Sequence, residues 1–429
     1  MDAKLIVDEV RLTPILISDP PLLNTQGVHQ PFTPRLVVEV VTKGGVSGLG
    51  ETYGDTVYLG AARALAEALP GRSVTDVNGL FVLATDTGGT PEPAPAAGDD
   101  AEGDAGVDAS GLRGVRTAEK LYLSVVSAFE TACLDALGKT LGLPVHALLG
   151  GKVRDEVEYS AYLFHKRAGT DGWGEALDPA GIVAQARRFD REYGFRSFKL
   201  KGGVFAPERE IAAIRALAEE FPGRPLRLDP NGAWSVETSL AVARELKDVL
   251  EYLEDPASGT AAMAEIAART DVPLATNMCV TTFGEVPEAF AAHAVRIVLC
   301  DHHYWGGLRR TRELAALCRT YGVGLSMHSN THLGISLAAM TQVAATLPGL
   351  HHACDTHYPW QTEDVVTPRP VFREGRLTVS DAPGLGVDLD REALAVLHRR
   401  WREDDGTYRD RDDAAAMRAV DPDWTPSRW

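Results

Sequence analysis

The sequence predicts an α/β protein: a (β/α)8-type barrel of the modified TIM kind, with an α+β capping domain formed by the N-terminal part and the C-terminal tail. Three observations carry this. From Val157 onward, eight short β-like runs recur, most of them followed by a helix-like segment, the pattern of a parallel α/β domain. The C-terminal ends of these runs fall near Tyr162, Lys201, Asp229, Glu254, Asn277, Asp301, His328 and Asp355, and from Lys201 onward the spacings are 28, 25, 23, 24, 27 and 27 residues, about one βα unit each. The seven ends from Lys201 to Asp355 are all polar, although a barrel strand is apolar through its middle, and the C-terminal strand ends are where barrel chemistry sits.

The elements follow in order. KLIVDEVRLTPILI and TPRLVVEVVTKGGVSGLGET are rich in Val, Leu and Ile around a glycine turn and predict a small antiparallel sheet. AARALAEALPG predicts a helix stopped by Pro-Gly. The acidic stretch from Gly88 to Gly111 has almost no apolar bulk and reads as a mobile loop. TAEKLYLSVVSAFETACLDALGKTLG predicts a long helix that closes a capping domain over residues 1–150. The barrel then spans 151–370, with PEREIAAIRALAEEF, SVETSLAVARELKDVL, RTRELAALCRTYG and GISLAAMTQVAATL among its amphipathic helices. Residues 371–429 are expected to return to the capping domain and the barrel mouth.

Composition limits the function. A formal charge of −17 argues against nucleic acid, which needs a basic face. It also means that an anionic substrate must be held by local cations against the global field. No uninterrupted apolar run approaches the ~20 residues of a membrane helix, and MDAKLIVDEV lacks a signal-peptide pattern. Five cysteines without C-x-x-C spacing fit neither a disulfide framework nor a structural zinc site, and a cytoplasmic protein is expected.

Asp229, Glu254 and Asn277 end neighbouring strands three, four and five. Each alone has an ordinary reading as a turn, a cap or a backbone partner. Together they are three oxygen donors without Cys or His, the ligand set of a hard cation, with Mg2+ favoured. Lys201 and His328 end strands on opposite sides of the mouth and flank the space between. Asp301 precedes His328 in the ring and is placed to orient its imidazole for general-base work. In FKLKGG, Lys199 and Lys201 share one strand face. Solvation at a sheet edge would explain both lysines, but a closed barrel has no edge. The expectation is that they meet a metal-bound carboxylate and lower each other's proton affinity. The chemistry implied is proton abstraction next to a carboxylate, followed by reprotonation (epimerisation) or by loss of a β-hydroxyl (dehydration).

FKLKGG, LDPNGAW, YLEDP, ATNM, the Asp301 region and MHSNTHLGISLAAMTQVAA, together with AFETACLDALGKTLGLPVHALLGG, resemble the enolase superfamily and, within it, the glucarate dehydratase group. The resemblance covers nearly the whole chain. It implies Mg2+-assisted dehydration of D-glucarate or an epimeric hexarate, with Lys201 and His328 as acid/base groups and Lys199 on the reacting carboxylate. Substrate contacts implied in the same way are His29, Tyr162, Asn231, Asn277, Ser329, Asn330, His357 and Arg411. A homo-oligomer is expected. The resemblance also implies an acid several residues beyond E-D-P, where this chain has Thr260, which leaves Glu254, or second to it Asp255, as the strand-four ligand. The alternatives are another hexarate dehydratase or epimerase, or a non-catalytic sugar-acid binder.

Overall fold

The computed structural model describes residues 2–88 and 118–429. The acidic stretch expected to be a mobile loop lies, apart from Gly88, outside the described residues.

The chain opens with β1 (Val7–Ser18), a short hairpin of β2 (Leu23–Asn24) and β3 (Gly27–Val28), then β4 (Phe32–Thr42) and β5 (Ser47–Tyr53). Strands β1, β4 and β5 pair antiparallel in that order. Helices α1 (Thr56–Ala68), α2 (Val77–Gly88), α3 (Ala118–Leu141) and α4 (Val145–Leu148) complete this part. Helix α3 lies directly on β5 because the strand offers no side chain there. A Cβ at Gly48 would stand 2.0 Å from the Ala132 carbonyl oxygen, and one at Gly50 would stand 1.9 Å from that of Ala128, so only glycine permits the approach. Helix α3 is long and apolar enough to cross a bilayer, but 83% of its apolar window is buried inside the protein. Its apolarity serves the capping core.

The barrel strands are β6 (Glu156–Phe164), β7 (Phe198–Lys201), β8 (Leu226–Asp229), β9 (Leu250–Glu254), β10 (Leu274–Thr276), β11 (Ile297–Cys300), β12 (Gly324–Met327) and β13 (Cys354–Thr356). They pair in the order β12-β11-β10-β9-β8-β7-β6-β13, every ladder parallel. A parallel bridge between Leu325 and Leu350 draws the last gap nearly shut. The helices between successive strands are α5 (Pro179–Tyr193), α6 (Pro207–Glu220), α7 (Val236–Leu246), α8 (Thr260–Ala267), α9 (Val286–Ala291), α10 (Leu308–Tyr321) and α11 (Gly334–Ala344).

After β13 the chain leaves the βα repeat. It forms β14 (Val366–Thr367), β15 (Arg376–Thr378) and β16 (Asp388–Leu389), with β15 antiparallel to the outer half of β6. Helices α12 (Arg391–Glu403) and α13 (Asp413–Val420) follow. Helix α12 packs on β1 and α13 on β3, so the C-terminal segment is part of the cap. All five cysteines are buried and free.

Five strand ends differ by one or two residues from the sequence reading, and two of them bear on the site. Strand β6 runs two residues past Tyr162 to Phe164, because it pairs with β7 as far as Lys201. Strand β10 stops one residue before Asn277, whose amide leaves the sheet ladder and donates instead to Asp255 Oδ2 at 2.8 Å.

Candidate active site

The C-terminal ends of the strands and the returning cap enclose one pocket. It is lined by Asn24, His29, Tyr162, Phe164, Lys201, Asn231, Asn277, His328, Ser329, Asn330, His357 and Arg411. The structure therefore brings together on this pocket all the predicted residues except Lys199, Asp229, Glu254 and Asp301, which lie behind it. A wider cleft at the opposite barrel end holds Arg376, which pairs with its neighbours Glu156 and Glu158 at 3.6 and 3.9 Å. It lies at the end of the barrel associated with stability rather than catalysis.

Register sets the oxygen donors side by side. Lys201 is paired with Asp229 across β7 and β8, and Glu254 with Ala275 across β9 and β10. Asp229, Glu254 and Asn277 are all buried. Both carboxylate oxygens of Glu254 and Oδ1 of Asn277 lack a hydrogen-bond partner, although Lys199 makes an ion pair with Glu254. Orphaned buried acceptors are costly, and burial together with the neighbouring Asp229 charge pushes the Glu254 carboxyl well above its usual range. A hard cation relieves both penalties. The residues present thus fit Mg2+: Glu254, Asn277 and Asp229 all offer oxygen.

Asp255 is otherwise engaged. It accepts from Thr276 Oγ1 at 2.5 Å and from the Asn277 amide, holding the very turn that presents Asn277. Thr260 begins α8 and does not line the pocket.

Lys199 requires a correction. Its side chain is fully buried, in ion pairs with Asp355 at 2.8 Å, Asp229 at 3.4 Å and Glu254, and 4.7 Å over the Tyr162 ring. Burial opposes its charge, but the three carboxylates raise its proton affinity well above the ordinary lysine value. The expected mutual lowering by the second lysine does not hold for it, because Lys199 has carboxylates as nearest partners. Lys201 does reach the pocket; its Nζ donates to Asp229 Oδ2 at 2.6 Å and to Asn231 Oδ1 at 2.8 Å. Asn231 takes φ +53°, and its amide bonds back to Asp229 Oδ1, so the DPNG turn aims it at Lys201.

Across the mouth, His328 Nδ1 lies 3.0 Å from Asp301 Oδ2. With its hydrogen on Nδ1, the ring leaves Nε2 for the pocket. Burial lowers the His328 proton affinity, and the Asp301 hydrogen bond only partly opposes this, which favours the neutral ring that a general base requires.

The far wall belongs to the cap, joined by His357 from the end of β13. Arg411 forms a fork on Asp413, with Nη2 to Oδ2 at 2.9 Å and Nε to Oδ1 at 3.1 Å, and Asn24 donates to the same Asp413. His29 Nδ1 meets Asp19 Oδ2 at 3.1 Å. Both ring nitrogens of His357 are buried without a partner, and burial drops its pKa to about 3. Sequence reasoning missed Asn24, Phe164, Asp19 and Asp413. The hairpin carrying Asn24 is too short for a periodic pattern, whereas Asp413 two residues after Arg411 was a visible charge pair.

A capped parallel βα barrel with oxygen donors between two acid/base side chains defines a class of enzymes that act next to a carboxylate. Residues 181–393 match the family described as enolase C-terminal domain-like. The chain is 69% identical over 440 residues to a probable glucarate dehydratase of Streptomyces coelicolor, covering all of both chains. A solved enolase structure from Mycobacterium smegmatis, complexed with formate and acetate, superposes with TM-score 0.91 at 52% identity, covering 99% of this chain and 98% of that one. One from Thermobispora bispora, complexed with magnesium and formate, gives 0.91 at 51% identity, covering 99% of each. This chain belongs to the enolase superfamily, in its glucarate dehydratase group.

Lys199 is the only cation bonded to Asp355 and Glu254 together among the described residues. Lys199→Met leaves buried carboxylates uncompensated and is expected to cost about 3–5 kcal/mol of stability. Urea unfolding checks this, and a loss below about 1 kcal/mol would contradict the role assigned to the pair.

Proposed function

We propose that this site dehydrates D-glucarate to 5-dehydro-4-deoxy-D-glucarate and water, with Mg2+ on Asp229, Glu254 and Asn277. That the chain is an acid-sugar dehydratase, a carbon–oxygen lyase, follows from its full-length identity to the Streptomyces relative; the hexarate and the ion are the finer proposal. The observation that carries it is the set of orphaned oxygens on Glu254 and Asn277 lying behind a pocket with Lys201 and His328 on its walls. The donor set favours Mg2+ over softer ions, and the magnesium in the Thermobispora structure supports the choice.

When bound, the ion supplies Lewis-acid polarisation of the reacting carboxylate. The chain's own residues do the rest. Lys201 Nζ or His328 Nε2, whichever faces the hydrogen, takes the proton from the α-carbon. The electron pair of that C–H bond becomes the new C=C bond as the β C–O bond breaks. The hydroxyl leaves as water with the proton the base has taken, and the enol then tautomerises to the ketone. Asp301 keeps His328 in the tautomer that presents Nε2. His29, His357 and Arg411 face the distal carboxylate, with Ser329, Asn330, Asn231 and Tyr162 along the chain of hydroxyls. Because Lys201 and His328 stand on different walls, the same pair also supports exchange between C5 epimers.

Chelation of the protein should abolish turnover and Mg2+ should restore it. Glu254→Gln is expected to weaken Mg2+ binding at least about tenfold, a loss of about 1.4 kcal/mol, while Thr260→Ala leaves it unchanged. Calorimetric titration reads both. Parent-like binding by Glu254→Gln would place the ligand elsewhere.

Lys201→Ala and His328→Asn should each lose dehydration of one C5 epimer by about 10²-fold or more while retaining exchange of the α-proton on the other face. Deuterium incorporation from D2O with D-glucarate and its C5 epimer L-idarate measures this. Parent-rate exchange of both epimers by either variant would refute the two-base geometry.

A further inference from the structure

Behind His328, Asp301 meets two further histidines that the catalytic reading does not use. Asp301 is fully buried and is met by His303 and His332 as well as by His328. Its Oδ1 receives the His303 backbone amide at 2.9 Å and contacts His303 Nδ1 at 2.9 Å. The other ring nitrogen, His303 Nε2, is 3.0 Å from the backbone carbonyl oxygen of Glu51 and 3.1 Å from Ser336 Oγ. An ionised carboxylate and a carbonyl only accept hydrogen bonds.

We propose that His303 is a positioning residue for the reaction: with a hydrogen on each ring nitrogen, it bridges the Asp301 carboxylate to the Glu51 carbonyl of the capping sheet and clamps the group that orients His328. The proposal rests on the reading of His328 as an acid/base group. A ring with hydrogens on both nitrogens is a cation, so Asp301 already has its counter-charge before His328 is considered. The carboxylate is held well below the usual range despite its burial, through the charge and hydrogen bond of His303 and the further contacts of His328 and His332. A second proton on the imidazoles around Asp301 would place two cations on one carboxylate. His328 therefore stays neutral, its Nδ1 hydrogen on Asp301 and its Nε2 open.

The other groups facing this cluster agree with a single cation there. His332 Nε2 is 3.6 Å from Asp301 Oδ2, and burial drops the His332 pKa to about 4. His302, with its ring centroid 4.1 Å from that of His303, is pushed well below the usual histidine range by burial and by His303. From the capping sheet, Arg35 and Glu51 pair with each other, while the Glu51 carboxylate accepts from the Leu333 and Ser336 amides at the start of α11. The Tyr53 ring lies 5.8 Å from His303, and its hydroxyl bonds that of Tyr304. On the pocket side, the charges of Lys199 and Lys201 act on His328. The clamp thus ties the barrel base to β5 of the cap.

Neutron diffraction from crystals of the whole protein grown near pH 7.5 reads the hydrogens directly and should show one on each nitrogen of His303 and only Nδ1 occupied on His328. A single hydrogen on His303 overturns the proposal whatever the variants do. In kinetics, His303→Asn keeps a donor at the Nδ1 position but removes the charge. The undivided Asp301 carboxylate then raises the basicity of His328, and the acid limb of kcat/KM should move up by about one pH unit. His303→Ala should lower kcat at every pH. An acid limb in His303→Asn that coincides with the parent's would overturn the coupling. Full activity in His328→Asn would instead refute the acid/base reading while leaving the neutron result for His303 standing.

Discussion

Three strands bring buried carboxylates to one level of the barrel, Asp229 from β8, Glu254 from β9 and Asp355 from β13, and the ammonium of Lys199 is set among them. One cation cannot balance three anions in a low dielectric. Arg227 takes part of the Asp355 charge at 3.3 Å and Lys201 part of the Asp229 charge, which leaves Glu254 with neither oxygen hydrogen-bonded. Glu254 and Asn277 thus keep oxygens without a hydrogen bond behind the mouth of the pocket, where a divalent cation can take them. The rest of the site is arranged around those oxygens.

The barrel alone does not complete the pocket. Arg411, Asp413 and Asn24 come from the C-terminal segment and the β2–β3 hairpin, locked to one another by the Asp413 carboxylate. Glu51 of β5 pins the start of α11, and so the loop carrying Ser329 and Asn330, from the capping side. The cap therefore brings the guanidinium of Arg411 to the pocket of a chain whose net charge is −17, where an acid-sugar substrate must be held against that field.

Much of this was legible in the sequence because barrel geometry is periodic. A βα spacing of about 25 residues fixed which polar residues end neighbouring strands, and so placed Asp229, Glu254 and Asn277 together. Lys199 was misjudged for a physical reason: strand alternation tells which face a side chain takes, not how deep it lies, and one pleat lower the partners are carboxylates rather than substrate. Asp19 and Asn24 were not legible, because they lie just after β1 and on a short hairpin, where long-range contacts have no local signature, whereas Asp413 stood beside Arg411 as a charge pair whose place on the pocket only the fold shows. His303 and His332 stood in the motifs DHHYW and SNTHLG, but nothing in their spacing showed that both turn inward to Asp301.

The central claim, that the oxygens of Asp229, Glu254 and Asn277 hold the working cation, is tested most directly by anomalous scattering from crystals soaked with Mn2+ in place of Mg2+ and a hexarate. One strong peak within about 2.0–2.3 Å of an oxygen from each of the three residues is the expected result. A peak held instead by the cluster of Asp19, His29 and His357, the other oxygen and nitrogen set on this pocket, with none beside Glu254, would contradict it.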